Sequence, residues 1–200
     1  MFISKQKGFT LIELVTTIGI IAIISSALAV FVVDNYRFQS RTLSQGQSFG
    51  EAQRAVDKMK REIRGATRGA NGAFPIANAA ADNLTIYSDY DYDGSIEQVR
   101  YFVSGNTFYR GIIEPQADDD IYPPDQETVS VISANLANDS TPIFSYYTDT
   151  YSGSEPAMNP VITPNIRIVR IYLIIDTSPQ INSGRYTIDT LVHLRNLKII

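Results

Sequence analysis

From Phe9 to Val33 the chain is apolar on every helical face, and Glu13 is its one charge. About 20 such residues cross a bilayer as a helix. Secretory signal peptides have shorter apolar cores, about 7–15 residues, that end at a small-residue cleavage site. Here the run is longer and passes into polar, helix-permissive sequence, which predicts a lasting single-pass anchor. Beyond Val33 the pattern changes period but does not break, and the first proline is Pro75. Phe49, Ala52, Val56, Met59, Ile63 and Ala66 recur at three and four residues, the stripe of an amphipathic helix. Glu51, Arg54, Asp57, Lys58, Lys60, Arg61, Glu62 and Arg64 fill its other faces. Gly65, Gly69 and Gly72 supply the stop. The spacing predicts one helix from Phe9 to about Ala66, roughly 87 Å long at 1.5 Å per residue. Its first half needs lipid or other helices, and its second half needs a sheet.

After a small-residue loop over 67–83 the period drops to two. Leu84–Ser88, Glu97–Val103 and Thr107–Ile113 read as a three-stranded meander turning at Asp93-Gly94 and at Ser104-Gly105-Asn106. Thr128–Ala137 and Pro142–Thr148 read as weaker strands. Residues 114–127 and 149–165 hold most of the prolines and several acids, and are predicted surface loops. Ile166–Ile175 is apolar on both faces and predicts a central strand. In Tyr186–Leu194, Tyr186, Ile188, Thr190, Val192 and Leu194 are expected inward, and Thr187, Asp189, Leu191 and His193 outward. The fold class is therefore α+β: a long amino-terminal helix, half membrane and half amphipathic, packed on an antiparallel β-sheet head. The expected divisions are 1–8, 9–33, 34–66 and 67–200.

Composition narrows the chemistry. There is no cysteine, so disulfides, thiolate metal sites and cysteine nucleophiles are excluded. A single histidine, His193, rules out a histidine-rich metal site. The formal charge is −4, and without Lys5 and Lys7 the remainder is more acidic still. An acidic head argues against nucleic acid as a partner, because phosphate binding calls for a basic patch. Lys5 and Lys7 precede the apolar run, so the positive-inside rule retains residues 1–8 in the cytoplasm and sends the head outward.

Glu13 is the anomaly, since a carboxylate at the bilayer centre costs roughly 2.5–3.5 kcal/mol. The stretch Lys7-Gly8-Phe9-Thr10-Leu11-Ile12-Glu13-Leu14 resembles the cleavage and methylation motif of type IV prepilins and type II secretion pseudopilins. The resemblance implies that a prepilin peptidase cuts between Gly8 and Phe9 and methylates the new amino terminus at Phe9. It also implies that Glu13 pairs with the freed amine of a neighbouring pilin or pseudopilin subunit. Pairing two buried charges removes much of the cost of either alone. A residue without Cβ at Gly8 suits a backbone lying in a protease cleft. The stretches VRYFVSGNTFYRGI, ETVSVISANLA, IFSYYTD, PNIRIVRIYLIID and YTIDTLVHLRN resemble the J-subunit minor pseudopilins and the related W-type minor pilins. The implied place is the inner membrane, with an extracytoplasmic head that enters a filament on assembly.

Asp89-Tyr90-Asp91-Tyr92-Asp93-Gly94 looks like the start of a calcium loop. The twelfth position, a bidentate Glu in an EF-hand, is here Arg100, and Glu97 is ninth. A hairpin turn that follows acidic residues is one reading; an oxygen-ligand calcium site from Asp89, Asp91, Asp93 and Glu97 is the other. Asp118-Asp119-Asp120 could join such a site if the fold brings it near. His193, on the outward face of a strand, has no G-x-S-x-G partner motif, and no catalytic residue is predicted. Two classes of function stand: a structural subunit that assembles into a membrane-based filament and supports secretion or pilus biogenesis, or a ligand-binding or DNA-uptake pilin head on a tether.

Overall fold

The computed structural model describes residues 8, 10–116, 121–176 and 184–197. Two compact units divide between Ser44 and Gln45. One helix, α1, runs over Leu11–Arg64 and contributes to both. Phe9, the expected helix start, lies outside the described residues.

In the first unit the side chains of Leu11, Ile12, Leu14, Val15 and Ile18 are exposed, as are those from Ile20 to Val33. No face of this segment is buried against an apolar partner among the described residues. Leu11–Tyr36 is long and apolar enough to cross a membrane, and such a surface calls for lipid or other helices in place of water.

In the second unit the predicted stripe is the buried one. Ala52, Val56, Met59, Ile63 and Ala66 are all at most 3 % exposed; the side chain of Phe49 lies outside the described residues. The helix ends where Gly65 donates its N–H to the Arg61 carbonyl. Eight strands follow: β1 Ile76–Ala79, β2 Asn83–Ser88, β3 Glu97–Ser104, β4 Thr107–Ile113, β5 Thr128–Ser133, β6 Phe144–Tyr147, β7 Ile168–Asp176 and β8 Arg185–His193. They form two antiparallel sheets, β1-β2-β3-β4-β5 and β6-β7-β8. The core joins the helix stripe to Leu84, Ile86, Val99, Tyr101 and Phe108 of the first sheet. Phe144, Tyr146, Val169, Ile171 and Val192 of the second complete it. Fully burying a large apolar side chain contributes about 1.5–3 kcal/mol, so this stripe is what holds the helix on the sheets.

Three expectations need correction. The predicted loop over 67–83 contains β1, a short strand rich in alanine and asparagine whose composition carries no β signal. The strand expected over Thr128–Ala137 stops at Ser133, and Leu136 makes a lone bridge to Ile175. Tyr186, expected inward on β8, is exposed, whereas Ile188 and Val192 are buried as expected.

Candidate functional site: the helix start and an acidic loop

Thr10 caps α1. Its carbonyl accepts the first intrahelical bond, from Leu14 N–H at 3.2 Å. Glu13 N–H donates to Thr10 Oγ1 at 3.3 Å, and Thr10 N–H donates back to Glu13 Oε2 at 3.3 Å. The Thr10 hydroxyl donates to the same carboxylate oxygen at 3.2 Å. This reciprocal pattern is a capping box, T-x-x-E, which satisfies two of the donors that every helix start leaves open. Glu13 also places a negative charge at the positive end of the helix. Its position is thus explained within one chain before any neighbour is considered, a role the motif spells out and the sequence reading missed. Gly8 is exposed, and a Cβ there would meet nothing within 4 Å. The fold itself therefore does not require glycine at that position. Lys5, Lys7 and Phe9 lie outside the described residues.

In the head, the segment between β2 and β3 folds around its own carboxylates. Asp89 accepts Tyr92 N–H at 2.7 Å and Gly94 N–H at 3.2 Å through its two oxygens. Asp91 accepts Asp93 N–H at 3.3 Å, and Asp93 accepts Ser95 N–H at 2.7 Å. Gly94 has φ +93°, a conformation that glycine adopts without strain. Asp89, Asp91 and Glu97 bring one carboxylate oxygen each within 4.8 Å of one another. Asp93 falls outside this group and serves the turn. Asp118, Asp119 and Asp120 lie outside the described residues. Glu97 opens β3 opposite Ser88. Burial pushes its carboxyl up to about 7, with the charges of Glu114 and Asp91 adding to the rise.

The sequence also did not single out Glu62, Arg110 and Tyr101. Glu62 lies on α1 and is buried; Arg110 grips it through two bonds, Nη2 to Oε1 at 2.7 Å and Nε to Oε2 at 3.1 Å. The Tyr101 hydroxyl donates to the same carboxylate. Tyr101 and Arg110 are direct partners in the β3–β4 register, so one cross-strand pair clamps the helix. A signal was present: Arg110 alternates in phase with buried Phe108, and an inward cation calls for a counter-charge. His193 is exposed on β8, paired in register with Ile168.

Residues 3–29 match the family model for the prokaryotic N-terminal methylation motif. The match covers Gly8, Phe9, Thr10 and Glu13 and extends well into α1. No curated protein matches the chain at a significant level.

Proposed function

We propose that this chain, whose methylation motif and long helix on antiparallel sheets support a type IV pilin-like family, is a structural subunit of a membrane-based filament. It is cut by a prepilin peptidase between Gly8 and Phe9, methylated at Phe9, and anchored by Leu11–Tyr36 until it joins sister subunits. The filament is of the type II secretion or type IV pilus kind, and the subunit is a minor pseudopilin or minor pilin with an extracytoplasmic head. The observation that carries this reading is the coincidence of the matched motif with the start of α1 and with an apolar surface left exposed among the described residues. An unconstrained Gly8 adds to it: glycine there suits a protease cleft rather than the fold. The role is assembly rather than catalysis.

Glu13 offers the test. Capping needs an acceptor at the third helical position, and Gln serves as well as Glu. Pairing with a neighbour's ammonium needs the charge. Glu13→Gln should therefore keep the helix start and still be cleaved, yet incorporate poorly into filaments sheared from cells that express the whole assembly system. Glu13→Ala should lose both. Wild-type incorporation of Glu13→Gln would reduce Glu13 to a cap and remove the pairing role.

A further inference from the structure

The acidic loop carries an observation that turn geometry does not explain. Glu97 is fully buried, and its Oε1 meets no hydrogen-bond partner among the described residues. Its other oxygen accepts Tyr90 N–H at 3.2 Å. A buried carboxylate oxygen without a donor is costly. It is costlier here because acids crowd it. Asp89 and Asp91 lie in the same 4.8 Å group. The β3–β4 register pairs Gln98 with Ile113, which sets Glu114 beside Glu97 at the next position.

Among the described residues none of these acids forms a salt bridge, although Lys58 and Arg61 line the same pocket as Asp89. The Arg110 guanidinium stacks over Tyr90, 4.7 Å from the ring centre, but is committed to Glu62 by two bonds. Lys58 Nζ lies 5.6 Å from the centre of the same ring. The group thus holds converging oxygens, negative charge in excess, and one buried carboxylate oxygen with no hydrogen-bond partner among the described residues.

We propose that Asp89, Asp91 and Glu97, joined by Glu114, hold a hard divalent cation that ties the β2–β3 loop to the ends of β3 and β4. Every donor is a carboxylate oxygen, which selects cations of the Ca2+ and Mg2+ type over those that prefer nitrogen or sulfur. Ca2+ takes oxygens at about 2.3–2.6 Å, so ligands across the ion sit up to roughly 5 Å apart. Mg2+ needs a tighter octahedron at about 2.0–2.1 Å. The observed spread lies within the calcium span. Glu97 supplies a ligand atom already stripped of water, and Asp93 remains the turn's acceptor. The cation would offset both the burial of the Glu97 carboxylate and its repulsion from the neighbouring acids.

The full chain, purified in detergent and stripped with EDTA, is titrated with Ca2+ and separately with Mg2+ while thermal unfolding is followed. Ca2+ should raise the midpoint by several degrees, and Mg2+ should raise it less. Tb3+ provides a second readout, because a lanthanide in this site sits beside Tyr90 and should emit on tyrosine excitation. Glu97→Gln keeps the side-chain shape and should fold, but should weaken Ca2+ about tenfold or more and lose the Tb3+ signal. Asp93→Asn should leave both readouts as in the parent chain. The proposal fails if the parent chain shows neither a Ca2+ shift nor Tb3+ emission, or if Glu97→Gln retains both undiminished.

Discussion

At the scale of the residue, two glutamates in one helix show how place decides what a carboxylate does. Glu13 sits at an exposed helix start, where its oxygens serve backbone and hydroxyl donors of Thr10. Glu62 sits under a sheet, where Arg110 and Tyr101 satisfy it. Removing one partner of a buried pair leaves the other charge stranded, at about 3–5 kcal/mol. Glu62→Ala should cost that much in denaturant unfolding of the full chain in detergent, with an unchanged dependence on denaturant. A loss below about 1 kcal/mol, the range of exposed pairs, would mean that Arg110 finds water on its own. Replacing Glu62 and Arg110 together by apolar residues should recover much of the loss, since it is the orphaned charge that is expensive. The Glu13 cap was written in the sequence as T-x-x-E, and the question of membrane charge hid it. The partner of Glu62 lies 48 residues away; no local pattern names it, although an inward Arg110 announced that one must exist.

At the scale of the element, the strongest periodicities were the most legible. The helix stripe, the β3–β4 hairpin and the central place of β7 all follow from spacing that packing then honours. Each buries several apolar side chains whose summed contribution outweighs local preference. β1 was not legible, because its backbone pairs with β2 while its side chains say little. Nor was the division into two sheets, which depends on which edges meet rather than on any one strand. Gly111 illustrates a constraint that only the assembled sheet exposes. Arg100 on β3 grips Glu127, before β5, with Nε to Oε1 at 2.8 Å. The Glu127 side chain crosses directly over Gly111, where a Cβ would sit 1.9 Å from Oε1. Gly111→Ala should expel Glu127, break its pair with Arg100 and destabilise the chain by about 1–3 kcal/mol. A neutral result in thermal unfolding would show that the Glu127 side chain relocates freely. The acidic loop was half legible. Asp89, Asp91 and Glu97 converge as their spacing suggested, but Asp93 turns away to Ser95, and Glu114 arrives through strand register rather than motif.

At the scale of the molecule, one chain carries two surfaces with different needs. The second unit buries its apolar side chains against one another and closes its own core. The first exposes its apolar side chains along Leu11–Val33, a surface that water does not tolerate over such a length. Under the proposed function, lipid would answer that need at first and sister helices on assembly. The same proposal puts a proteolytic step between those two states, because pairing Glu13 with a neighbour's amine requires a free amino terminus at Phe9. Mass spectrometry of the full chain after co-expression with a prepilin peptidase tests this most directly. The account predicts loss of residues 1–8 and a monomethylated amino-terminal Phe9, with Gly8→Val left uncut. An intact Met1 terminus beside an active peptidase, or a cut that discards the apolar helix itself, would contradict it.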